Sequence, residues 1–168
     1  MGGEDIRGLA VDAFERFNDV ENREGFFEAY DPGVVLHGYP AELQGIEGLR
    51  AFYVALWEAF PDTRLTIEDL LVDGDRAALR YRMTGTHRAL YLGIAPTGLR
   101  FDVEGIMVLR IAGGRVAEEW HGPTELSILR QLGAVRAEVP RGGRERHEPP
   151  RRSASAEAAA LRLEEQSG

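Results

Sequence analysis

The chain has 168 residues, 43% of them hydrophobic, which suffices for one compact domain with appendages. Its net charge of -8 argues against a nucleic-acid partner, since phosphate binding needs clustered cations, and all 20 basic residues are arginine. With no cysteine, disulfides and thiolate metal sites are excluded; no stretch has the roughly 20 apolar residues of a membrane span, and Met1 to Gly8 is too polar and acidic for a signal peptide, so the expected location is cytoplasmic.

Ile6, Leu9, Ala10, Ala13, Phe14 and Phe17 recur at the spacing of one helical face, which predicts an amphipathic helix of about four turns. A short second helix is expected around Arg23 to Tyr30, then a turn at Asp31-Pro32-Gly33 and a short strand over Val34 to His37. Leu49, Tyr53, Leu56 and Phe60 share a face of a third helix, Ile46 to Phe60, which Pro61 ends. The pattern then becomes extended. Leu65 to Val72 and Ala77 to His87 read as a hairpin around Asp73-Gly74-Asp75, and Phe101 to Ile111 and Arg115 to His121 as a second pair across Gly113-Gly114. Apolar residues at successive positions from Ile106 to Leu109 predict a strand buried on both sides. Thr124 to Leu132 reads as a closing helix, capped at its end by Gly133. Helices first and an antiparallel sheet afterwards imply an α+β domain over residues 1–136, with helices layered on one face of the sheet. Residues 137–168, rich in proline, arginine and glycine, are expected to be a disordered linker with a possible short C-terminal helix, either solvated or docked on an acidic partner.

Several polar residues interrupt the apolar pattern. His87 ends the stripe of Leu79, Tyr81 and Met83, which puts it either at a pocket mouth or in a structural hydrogen bond holding the Arg88 to Gly98 loop. Glu104 is a carboxyl group in an apolar strand, a candidate acid/base or the partner of Arg80, Arg82 or Arg110 in an ion pair. Glu119 shares strand parity with His121 and either orients its ring or stands at a solvated rim. His37 and Tyr39 follow the first strand, and Tyr39 is suited to hydrogen-bond a substrate carbonyl. Tyr53, Trp57, Tyr81, Tyr91, Met107 and Trp120 are candidate pocket walls as well as core. His37, His87 and His121 lie on separate segments without short metal-ligand spacing, so no metal is expected. No glycine-rich phosphate loop is present, so no nucleotide cofactor is expected either.

The segments GTHR (Gly85 to Arg88), LGIAPTG (Leu92 to Gly98), LRIAGGRVAEEWH (Leu109 to His121) and LRQLG (Leu129 to Gly133) carry a family likeness. With the upstream stretch from His37 to Asp75, the chain resembles the SnoaL-like polyketide cyclases across nearly all of residues 5–136. The resemblance implies the cone-shaped nuclear transport factor two-like fold, in which a curved antiparallel sheet and helices enclose a deep apolar pocket and relatives dimerise through the sheet's outer face. It also implies a cofactor-free ring closure of an aromatic polyketide or similar secondary metabolite, by proton transfer of the aldol type. Counted back from LRQLG, His121 occupies the place of the family's catalytic aspartate, and Thr124 that of a further aspartate three residues on. Imidazole, with a reference pKa near 6.5, keeps proton transfer feasible at the first position, whereas threonine cannot act as a base at the second. The alternatives on the same fold are epoxide opening, hydrolysis or isomerisation, or a non-catalytic ligand-binding or dimerisation module.

Overall fold

A strand that faces helices on one side only shows burial at every second residue, and the two central strands over Arg76–Thr86 and Arg100–Ala112 obey that rule. The computed structural model describes residues 2–40 and 43–135. Its elements are α1 (Gly3–Asn18), a 3-10 helix (Arg23–Ala29), β1 (Tyr30–His37), α2 (Gly45–Ala59), β2 (Arg64–Asp73), β3 (Arg76–Thr86), β4 (Arg100–Ala112), β5 (Arg115–His121) and α3 (Glu125–Gln131). The five strands form a curved open sheet in the order β1-β5-β4-β3-β2. This is the expected α+β class.

Two expectations about the sheet need correction. β1 pairs with β5 in the parallel sense, so the sheet is mixed rather than antiparallel throughout. The intervening elements carry the chain from one edge to the other, and β5 returns beside β1 in the same direction. Nor is β4 buried on both sides: Phe101, Val103, Met107 and Leu109 point into the core, whereas Ile106 is 60% exposed. α1 packs on β2 and β3, α2 on β1 and α3 on β4, and the outer face carries ion pairs of Arg80 with Asp69, Arg82 with Asp102 and Arg110 with Glu118. The expectations for residues 137–168 lie outside the described residues.

Side chains tie the layers together at chain ends that a bare sheet would leave unsatisfied. Asn18, the last residue of α1, grips β2 at Leu65 from both sides: its amide donates to the carbonyl at 2.7 Å and its oxygen accepts the N–H at 2.8 Å. Asp62, just after α2, accepts from both the backbone N–H and the hydroxyl of Thr86 at 2.7 Å, fastening the helix end to the end of β3. Burial alone would raise the Asp62 carboxyl, but these hydrogen bonds prevail and hold it below its ordinary range. Its folded value therefore lies under its unfolded one, and the unfolded chain takes up the proton first as the medium is acidified. The resulting stabilisation is complete above about pH 5 and is lost as pH falls through the lowered value. Arg82 holds Asp102 down in the same way, and Arg110, then His37, hold Glu118. Asp62→Asn is expected to flatten part of the fall in urea midpoint between about pH 5 and pH 2; an unchanged slope would show that this clasp contributes nothing.

Candidate active site

A fault in register decides what β5 presents to the core. Ile111 of β4 faces Val116, but its neighbour Arg110 faces Glu118, so Ala117 has no partner and forms a bulge. On an uninterrupted strand starting inward at Val116, the inward residues would be Glu118 and Trp120. The bulge reverses that parity. Glu119, opposite Leu109, and His121, opposite Met107, face the interior, while Glu118 and Trp120 face outward.

Glu119 is fully buried, and its Oε1 accepts a 2.6 Å hydrogen bond from the Tyr39 hydroxyl. Since the Tyr39 proton is committed there, the 3.1 Å contact between the Tyr39 and Tyr53 hydroxyls must have Tyr53 as donor. The result is a directed chain from Tyr53 through Tyr39 to Glu119. Burial, and after it the negative charge of Glu119, pushes the phenols of Tyr30, Tyr39 and Tyr53 well above their ordinary range. All three therefore remain protonated donors at physiological pH.

The His121 ring lies beside this chain, with Nδ1 3.8 Å from Glu119 Oε1 and Nε2 3.4 Å from the Tyr81 hydroxyl. Tyr39 reaches it because Gly38 allows the chain to turn close against β5. Gly38 has φ +84°, and a Cβ there would stand 2.1 Å from the His121 carbonyl oxygen. Nδ1 of His121 and Oε2 of Glu119 are buried without hydrogen-bond partners. Two adjoining buried polar atoms left in this state are unusual for a purely structural arrangement.

His121 lines an apolar inner chamber with Tyr53, Tyr81, Met107 and Thr124. This chamber is narrow, with about 10 Å³ open to the centre of a water-sized sphere, room for roughly one water molecule. A wider vestibule of about 520 Å³ lies beside it, bounded by Tyr39, Leu43, Leu90 and Leu92 among others. Phe52, Tyr91 and Glu125 line both spaces and form the wall they share. Among the described residues, no arginine lines either one.

The chain has known relatives. The family model of the SnoaL-like polyketide cyclases matches residues 8–132. The chain belongs to that family. An aklanonic acid methyl ester cyclase, DauD, of a Streptomyces species (strain C5) is 31% identical over 127 residues, covering 74% of this chain and 76% of that protein. The enzyme of the same description from Streptomyces peucetius, DnrD, is 30% identical over 108 residues, covering 63% and 72% respectively. Among solved structures, TsrD from Streptomyces laurentii superposes with a TM-score of 0.70 at 30% identity, over 80% of this chain and 99% of that one.

In this SnoaL-like domain the residues singled out from sequence divide into two groups. His121, Glu119, Tyr39, Tyr53, Tyr81, Tyr91 and Met107 gather around the chamber, its vestibule and the hydrogen-bond chain. The others stand elsewhere. Glu104 is not a buried acid: it pairs across the sheet with Arg82, its side chain is 66% exposed on the outer face, and Arg80 lies 3.7 Å away. His37 and Trp120 also face outward, stacked on each other at 5.0 Å, with His37 bound to Glu118. Trp57 packs among Phe17, Phe26 and Phe27 in the aromatic core rather than on the chamber wall. Of the two readings of His87, the structural one describes its position: it is fully buried, and its Nδ1 accepts the Thr97 N–H at 3.2 Å, clasping the 88–98 loop. The three histidines thus occupy three separate environments, and the described residues contain no group of three His, Asp or Glu side chains placed to hold a metal ion. No described helix is long and apolar enough to cross a membrane.

Two residues of the shared wall were not anticipated. Phe52 lies at the border of the apolar stripe of α2, three residues after Leu49 and four before Leu56, a spacing that marks it as half-inward. Glu125 follows Thr124, and the first turn of α3 brings both to the chamber. The hydrogen-bond chain has a measurable consequence. Tyr39→Phe leaves a buried carboxyl oxygen without its donor and is expected to destabilise the fold by about 1–3 kcal/mol in urea denaturation, with part of the loss recovered in Tyr39→Phe/Glu119→Gln.

Proposed function

We propose that the chain is a cofactor-independent cyclase that closes a ring in a polyketide by moving a proton through His121. The observation that carries this reading is the His121 imidazole, 6% exposed, on the wall of an apolar chamber with its Nε2 turned toward the Tyr81 hydroxyl. A carbon between two carbonyl groups is acidic enough for imidazole to deprotonate near neutral pH. The resulting enolate carbon attacks a second carbonyl of the same molecule, and the proton passes from His121 to the oxygen of the new alcohol. Reactants and product have the same composition, so no external oxidant or reductant is required. Holding the two ends of a flexible chain together supplies much of the acceleration, and an aromatic cavity suits that task.

The relatives DauD and DnrD are described as cyclases of aklanonic acid methyl ester, which points to an esterified aromatic polyketide as the substrate class. The lining supports an uncharged guest. With no arginine among the described residues lining chamber or vestibule and the acidic Glu125 in the wall between them, a free carboxylate there would have no counter-ion in that lining. A polycyclic substrate exceeds the inner chamber, so its reacting end reaches His121 only when Phe52 and Tyr91 move apart. Family likeness further supports a homodimer formed through the outer sheet face, where Ile106 and Val35 are exposed, and a cytoplasmic location.

The tightness of the inner chamber favours one second reading, in which a ligand fills the vestibule alone and no chemistry takes place. Turnover of aklanonic acid methyl ester by His121→Ala separates the two. The cyclase reading expects a fall of roughly 100-fold or more with the fold intact, and equal turnover in both proteins would remove His121 from the reaction. The free acid of the same compound is expected to bind at least roughly tenfold more weakly than the ester.

A further inference from the structure

We infer that Tyr81 is a second catalytic group of this site, its hydroxyl holding the enolate oxygen while His121 moves the proton; this rests on the cyclase reading above. Tyr81 lies on β3 directly opposite Gly105 of β4. That glycine has a steric purpose: a Cβ at position 105 would stand 2.3 Å from Tyr81 Cζ and 2.4 Å from its hydroxyl oxygen. The ring therefore lies down across the neighbouring strand, in space that any other residue would fill, and its hydroxyl is carried toward the end of β5 and His121.

Among the phenols near His121, Tyr81 has no carboxylate or second phenol holding its proton; its hydrogen bond with the Thr124 side chain favours the phenolate, the sign of a donor to the Tyr81 oxygen, and so leaves the Tyr81 proton available. The Tyr39 proton is committed to Glu119 and that of Tyr53 to Tyr39. The contact of Tyr81 with His121 Nε2 is 3.4 Å, long for a hydrogen bond and readily exchanged for one to a guest. Burial raises the Tyr81 phenol above its ordinary range, so it stays a donor rather than becoming a competing anion. On the far side of the ring, Glu119 Oε1 faces Nδ1 at 3.8 Å, which favours the tautomer with hydrogen on Nδ1 and leaves Nε2 free as the base.

The step is then explicit. The Nε2 lone pair takes the proton from the carbon between two carbonyls, and the C–H electron pair becomes the enolate π bond. Charge develops on the enolate oxygen, which accepts the Tyr81 O–H. The enolate carbon forms the new C–C bond to the second carbonyl carbon, whose π pair moves to oxygen, and that oxygen takes the proton back from Nε2. Tyr81 keeps its proton throughout and nothing leaves. An α-carbon and its carbonyl oxygen are separated by only two bonds, so both fit side by side against groups 3.4 Å apart.

Tyr81→Phe retains the ring over Gly105 and removes only the oxygen. With aklanonic acid methyl ester, kcat is expected to fall roughly 100-fold while KM changes little, and exchange of the α-proton into deuterium oxide is expected to slow by a similar factor. A purely structural tyrosine would not tie those two rates together. If Tyr81→Phe turns over and exchanges like the parent while His121→Ala is inactive, the role of Tyr81 is overturned and the cyclase reading stands. If both variants match the parent, both fall. Binding of 2-naphthol, whose hydroxyl mimics the enol, needs no turnover: affinity roughly tenfold weaker in Tyr81→Phe supports the assignment, and equal affinity overturns it even if the ester is not converted.

Discussion

A single unpaired residue, Ala117, determines that this sheet has a reactive interior. Strand alternation is a rigid rule, so the only way to bring Glu119 and His121 inside while Val116 also stays inside is to insert one residue without a partner. Everything polar in the chamber follows from that slip. Without it, Trp120 would enter the core and the carboxyl and imidazole groups would face solvent with Arg110. The pairing with β1 also breaks at this point, Tyr30 facing Val116 and Val35 facing Glu118, and both ladders run regularly from Glu118 onward.

The second constraint is the treatment of a buried carboxyl group. Among the described residues Glu119 has no arginine ion-pair partner, whereas Asp69, Asp102 and Glu118 on the outer face each have one. It is satisfied instead by phenols, whose hydroxyl groups bring a hydrogen bond without a compensating charge. The phenolic surround meets part of the hydrogen-bonding demand and places no cation between Glu119 and the His121 ring, whose Nδ1 is 3.8 Å away.

The fold was largely legible because its elements obey simple periods. The face made by Ile6, Ala10, Phe14 and Phe17 belongs to α1, and the Asp73 to Asp75 and Gly113-Gly114 turns fall where the hairpins close. The parallel edge was not legible, since β1 is short and its partner comes some 80 residues later in the chain. At the site, the shared parity of Glu119 and His121 could be read locally, but the direction they face could not: RVAEEWH contains no glycine or proline to announce a bulge. Glu104 misled for the converse reason. It looks isolated in sequence among apolar residues, and only pairing across the sheet shows that those on its own face are Ile106 and the arginines of β3. Strand alternation leaves His87 open between a pocket mouth and a structural hydrogen bond, and Trp57 suits wall or core; burial among aromatic groups makes both part of the frame.

The near-dry resting state of the inner chamber changes how occupancy is controlled. With space for about one water, there is almost no ordered solvent to release, so the usual gain from dehydrating a cavity is small there. The work of admission falls instead on displacing Phe52, which packs against Tyr39, Tyr53 and His121, and Tyr91, which packs against Phe60. Recognition at the inner end is thus governed by mechanical compliance: a guest is selected by whether its own flat surface can replace the ring contacts it breaks.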